Sequence, residues 1–196
     1  MAIIGRLSSF NPAYVFPSLR KVLIQLLTEV EFSSVARNKQ ESCQLISCLV
    51  GSSSVLIKPY VDPIVQVLLP KAQDADETIA ATALNAIGDL AAIGGEDMEV
   101  YIPQLMGIIM QNLQNLASSA KRSAALRTLA NLGSNSGYVI DPYLEHPELL
   151  TILMNNVKIE PTGALRNQTT RLIGILGALD PYRHQVGLSK TLQGYC

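Results

Sequence analysis

The chain has 196 residues, of which 48% are apolar, 5% aromatic and 16% charged, with no tryptophan and a formal net charge of −1. This is long enough to bury a sizeable core and too apolar for a disordered segment. Near-zero net charge leaves no global field to attract nucleic acid or an anionic membrane, and three cysteines make neither a disulfide framework nor a zinc site.

The N-terminal Met1-Ala2-Ile3-Ile4-Gly5-Arg6 lacks the apolar length and cleavage site of a signal peptide. After Asn11-Pro12-Ala13-Tyr14, the residues Leu19, Val22, Leu23, Leu26, Leu27 and Val30 recur at intervals of three and four and predict one helical stripe. Cys43, Ile46, Leu49 and Val50 mark its partner helix, so Cys43 and Cys48 are expected as small core residues in a reduced compartment. Asp74-Ala75-Asp76-Glu77 reads as an acidic cap with a glutamate three residues on. Leu105, Ile109, Leu113 and Leu116 form the next stripe, and Leu126, Leu129, Ala130 and Leu132 its partner, with Ser119 before Lys121-Arg122 at the helix start. Glu160-Pro161-Thr162-Gly163 is a further break in which Thr162 is placed to cap. The basic residues Arg20-Lys21, Lys121-Arg122, Arg166 and Arg171 are scattered and expected on solvated helix faces. No sustained alternation or hairpin dipeptide predicts a strand.

Two columns organise these helices. A tyrosine beside proline recurs as Asn11-Pro12-Ala13-Tyr14, Lys58-Pro59-Tyr60, Tyr101 followed by Pro103, Asp141-Pro142-Tyr143 and Asp180-Pro181-Tyr182. The tyrosines are 46, 41, 42 and 39 residues apart. The second column, Ile/Leu–small–any–Leu, reads Ile4-Gly5-Arg6-Leu7, Ile46-Ser47-Cys48-Leu49, Ile87-Gly88-Asp89-Leu90, Leu129-Ala130-Asn131-Leu132 and Ile173-Gly174-Ile175-Leu176, with spacings of 42, 41, 42 and 44. Agreement on a period near 42 predicts an all-α solenoid: a right-handed stack of about four helix pairs with half-units at both ends, cut from a longer array. The tyrosines are expected to pack. Gly88 and Gly174 sit mid-helix, where glycine costs up to about 1 kcal/mol against alanine, so both are expected to admit a neighbouring helix closely.

Paired helices of this period, a proline near the first helix and an acidic inter-helix turn resemble HEAT (armadillo-type) repeats. More particularly, Gly5-Arg6-Leu7-Ser8-Ser9, Leu19-Arg20-Lys21, Leu23-Ile24-Gln25, Ile57-Lys58-Pro59-Tyr60, Ala120-Lys121-Arg122, Gly137-Tyr138-Val139 and Leu176-Gly177-Ala178-Leu179-Asp180-Pro181-Tyr182 resemble the HEAT region of the target-of-rapamycin kinases. The resemblance assigns 1–186 to the solenoid segment and leaves 187–196 as an unassigned tail. Pro70 departs from the family pattern and predicts a kink or early stop. The resemblance implies a large cytoplasmic serine/threonine kinase as parent, at lysosomal, vacuolar or other endomembrane surfaces. In such a parent this chain is a non-catalytic scaffold for dimer assembly and accessory-subunit docking in nutrient and growth signalling. A free-standing HEAT adaptor, such as a transport receptor or phosphatase scaffold, is the alternative.

No catalytic, cofactor-binding or metal-binding residue is expected. Gly94-Gly95 follows a helix and matches no phosphate loop, reading instead as a helix C-cap. His146 and His184 have no partner at metal-ligand spacing. Asn167-Gln168-Thr169 is a glycosylation sequon by chance. Val100–Ala120, the longest charge-free run, is interrupted by Pro103 and by glutamines and asparagines, which argues against membrane insertion. Protein partners are expected, on a surface the residues do not identify; nucleic acid is not.

Overall fold

In the computed structural model, which describes residues 11–160 and 163–176, the chain is a succession of helices. They are α1 (Pro12–Phe32), α2 (Ala36–Ser52), α3 (Ser54–Ile57), α4 (Val61–Lys71), α5 (Glu77–Gly94), α6 (Ile102–Gln114), α7 (Ser119–Ser136), α8 (Asp141–Glu145), α9 (Leu149–Ile159) and α10 (Gly163–Leu176). Short 3-10 segments at Lys58–Tyr60 and Gly95–Tyr101 lead into α4 and α6. Among the described residues there is no strand. Consecutive helices pair as α1/α2, α4/α5, α6/α7 and α9/α10, and the second members α2, α5, α7 and α10 stack on one another. The half-units expected around Ile4 and Asp180, the cap Thr162, and His184 and Cys196 lie outside the described residues, as does 187–196.

Prolines open the first helix of each pair, where a fixed φ and a missing N–H cost least. Pro12 and Pro103 stand in the first two positions of α1 and α6, Pro59 in the 3-10 turn before α4, and Pro142 in α8. In the last pair the first helix is interrupted: α8 ends at Glu145, and α9 starts beyond Pro147. Pro70 stops α4 at Lys71, the early end expected from sequence.

The caps are shifted by a residue or two from the sequence reading. Asp76, not Asp74, caps α5, accepting from the N–H groups of Thr78 and Ile79 at 2.8 and 3.3 Å. Asp74 instead accepts from the Asp76 N–H, so no reciprocal bond from Glu77 is needed. Ser118, not Ser119, caps α7, accepting from the Lys121 N–H. Gly95 (φ 55°) and Gly137 (φ 80°) end α5 and α7 in a region where a Cβ would be strained.

The stripes form a single core. Leu19, Leu23, Leu26 and Val30, then Cys43, Ile46, Leu49 and Val50, then Leu105, Ile109 and Leu113, then Leu126, Leu129 and Leu132 are all buried. Each such side chain removed from water contributes about 1.5–3 kcal/mol. Four expectations of burial or exposure fail. Cys48 is exposed while Cys43 is buried, because five residues carry a side chain some 140° around a helix. Leu116 lies past the end of α6 and is 60% exposed. Tyr14 is 79% exposed, whereas Tyr60, Tyr101 and Tyr143 pack against the core. Arg122, expected in solvent, is buried. The stretch Glu77–Gln114 is long and apolar enough to cross a membrane, and 61% of its most apolar window is buried inside the fold.

Gly88 behaves as its column predicts. A Cβ there would lie 2.8 Å from Thr128 Oγ1 and 3.1 Å from Thr128 Cα. Gly174 does not: a Cβ added to it meets nothing within 4 Å. Gly88→Ala should therefore destabilise the chain by about 1–3 kcal/mol through overpacking. Gly174→Ala should stabilise it by up to about 1 kcal/mol through helix propensity. Urea melts of the two variants read the opposite signs. The Asp76 carboxylate is held below its ordinary range chiefly by the Thr78 hydroxyl, with the Thr78 and Ile79 amides adding to it. Its contribution is complete above the ordinary carboxylate pKa of about 3.9 and is lost as pH falls through the lowered folded value. Asp76→Asn, which keeps a capping oxygen, should flatten the acid limb of the stability curve measured from pH 5 down to 2.

Candidate interaction surfaces

The contacts between successive repeats repeat the period of the sequence. Thr128 Oγ1 donates to Leu84 O and Asn131 Nδ2 to Gly88 O, each at 2.8 Å, tying α7 to the α5 backbone. Asn156 Nδ2 donates to Leu113 O at 3.1 Å, and Ser123 Oγ to Gln168 Oε1 at 2.9 Å. The Asp89 carboxylate, in the variable slot of the second column, accepts from Ser47 on α2 and from Arg127 on α7. One side chain thereby links three successive second helices. Sequence reasoning had left that slot open; a polar residue beside a mid-helix glycine was the available signal.

The most buried charges also join two repeats. Arg122 Nη2 and Nε donate to Glu160 Oε2 at 2.6 and 3.2 Å, and Arg122 Nη1 donates to Asn115 O at 2.8 Å. The two side chains are only 8% and 7% exposed. Arg166 Nη2 reaches Glu160 O at 2.8 Å. Arg122 lies 38 residues from its partner, so helix-face reasoning could not find it. A third polar lock sits after α7, where the buried Tyr138 hydroxyl donates to Glu145 Oε2 at 2.5 Å. Burial first, and the Glu145 carboxylate second, push this phenol well above its usual range.

On the side of the first helices, α4 ends early and leaves a trough of about 640 Å³ against α6, lined by Gln66, Leu69, Pro70, Gln73, Tyr101, Gln104 and Ile108. At its rim the Tyr101 hydroxyl donates to Asp62, with Gln66 adjacent. The lining of the trough includes no Ser, Thr, Cys, Lys or His, and among the described residues no group of three His, Cys, Asp or Glu side chains stands together as metal ligands. His146 lies 3.8 Å from Glu148, and burial raises the Cys43 thiol to about 11, where it is protonated and inert. Gly95 ends α5 by its left-handed φ, as a C-cap does. The sequon lies inside α10, its Thr169 hydroxyl buried and donating to Leu165 O.

Removing one partner of a buried pair leaves an uncompensated charge, so Arg122→Met alone should cost about 3–5 kcal/mol. The double variant Arg122→Met with Glu160→Leu should cost less than Arg122→Met alone. Urea denaturation of the wild type, both single variants and the double variant measures the cycle.

The comparisons agree with the sequence resemblance. Residues 139–194 match a family model described as the serine/threonine-protein kinase mTOR domain. The chain is 52% identical over 183 residues to serine/threonine-protein kinase TOR2 of Saccharomyces cerevisiae, covering 93% of the chain and 7% of the relative. It is 46% identical to serine/threonine-protein kinase tor1 of Schizosaccharomyces pombe over 93% of the chain and 8% of the relative. With serine/threonine-protein kinase mTor of Drosophila melanogaster the identity is 40%, over 95% of the chain and again 8% of the relative. The chain thus spans less than a tenth of the length of these relatives and is a region other than their kinase domain. It is thus the counterpart of one short segment of the target-of-rapamycin serine/threonine kinases.

Proposed function

We propose that this chain is a non-catalytic scaffold segment of a target-of-rapamycin-type kinase, mediating protein contacts that build the dimer and dock accessory subunits in nutrient and growth signalling. The observation that carries the reading is the match of nearly the whole chain to a small part of long kinases, in a fold whose charged and polar side chains tie one repeat to the next. Stacked helix pairs offer extended surfaces rather than a closed pocket. The relatives are kinases and not free-standing adaptors, which favours this reading over the alternative. We place the parent in the cytoplasm, at endomembrane surfaces, in contact with protein and not with nucleic acid or the bilayer interior.

Surface substitutions in the full-length kinase test the scaffold role. Three clusters are changed separately: Tyr14 with Phe32, Val100 with Leu116, and Gln73 with Gln104. At least one should lower dimer or subunit occupancy by mass photometry while phosphorylation of a short peptide stays unchanged. Full assembly in all three variants would overturn the reading. The 196-residue chain alone should show no saturable ATP binding by calorimetry at micromolar nucleotide, since its sequence carries no phosphate-loop motif.

A further inference from the structure

The trough between α4 and α6 carries hydrogen-bonding capacity that the fold leaves unused. It presents the exposed Gln66, Gln73 and Gln104 beside Leu69, Pro70 and Ile108. Among the described residues no hydrogen bond engages the side-chain amides of Gln73 and Gln104, and each such amide both donates and accepts. At the rim, one oxygen of the exposed Asp62 carboxylate accepts from the Tyr101 hydroxyl, and the other accepts from Gln66 Nε2 at 3.1 Å. Both partners are neutral, and about half of the carboxylate's acceptor sites stay open. Among the described residues no ion pair reaches Asp62.

This combination selects one kind of occupant. An extended backbone leaves its N–H and C=O groups unpaired and meets amides from both helices, whereas a helix satisfies its own. No Lys, Arg or His lines the trough to hold a phosphate. Asp62, Gln66 and Leu69 follow one another at four and three residues and share one stripe of α4. From Asp62 to Leu69 the helix rises about 10.5 Å, which three residues of extended chain span at about 3.3–3.6 Å each. We propose that the trough takes an extended peptide segment of a partner protein. A basic side chain of that segment pairs with Asp62, and an apolar one three residues along lies over Leu69, Pro70 and Ile108. This deepens the scaffold reading and rests on it for the source of the peptide.

Fluorescence anisotropy on the intact 196-residue chain tests it with three fluorescein-labelled peptides. They are Gly-Ser-Arg-Pro-Ser-Leu-Ser-Gly, the same peptide with Glu for Arg, and a third of the same composition with Arg and Leu adjacent. The first should bind about three- to tenfold more tightly than the second, as attraction to one exposed carboxylate gives way to repulsion, and more tightly than the third. Asp62→Asn should equalise the first two, and Asp62→Glu should retain their difference. Gln104→Trp alters an exposed position and should fill the trough, abolishing binding while leaving the melting transition in place. Failure of the first peptide to bind at about 1 mM would overturn the proposal, as would an arginine preference that survives Asp62→Asn. A dimer in sedimentation that Gln104→Trp dissolves would assign the trough to a second copy and overturn it too. The scaffold reading stands or falls separately, on subunit occupancy in the full-length kinase.

Discussion

The close approach of α5 and α7 at Gly88 governs how this chain is assembled. With no side chain at Gly88, the Thr128 backbone comes within reach of α5, so that Thr128 and Asn131 donate to the carbonyls of Leu84 and Gly88. Each of these carbonyls has a second lone pair beyond the one used within its helix. A methyl group at Gly88 would stand 2.8 Å from the Thr128 hydroxyl, and the seam would have to open. The first helices lack such a contact between α4 and α6. A trough lined in part by Leu69, Pro70 and Ile108 lies there, where α4 ends at Lys71.

Polar atoms in this chain do architectural work because the helices leave them few other uses. Only 16% of residues are charged, yet Asp89, Arg127, Arg122 and Glu160 all bridge repeats. Apolar stripes alone permit a helix to slide by a turn with little loss of buried area. A slide of α7 by one turn would leave the Arg122 guanidinium or the Glu160 carboxylate buried without its partner, at a cost of several kcal/mol. The ion pair therefore sets register, and the aliphatic core supplies most of the stability.

Among the described residues, Cys43 is buried with its thiol held protonated, and Tyr138 is locked to Glu145. What distinguishes one position from another lies outside, in the trough and on exposed apolar side chains such as Tyr14, Phe32, Leu150 and Met154.

Periodicity and local chemistry were legible in the sequence because both act over a few residues. The apolar stripes, the proline starts, the early end of α4, the glycine C-cap after α5 and the family likeness were all readable from residue type and spacing. The period of 42 also announced stacking. Distances across the seams were not readable. Gly88 and Gly174 occupy the same column, yet only Gly88 meets a neighbour within 4 Å. Arg122 and Arg166 both look like surface cations, but α7 turns the first inward onto Glu160, and α10 leaves the second on the surface. Cys43 and Cys48 share a helix, and only its rotation against α1 and α5 separates core from solvent. Local sequence sets which residues a helix carries; the side facing a neighbour, and how near that neighbour comes, depends on side chains about 40 positions away.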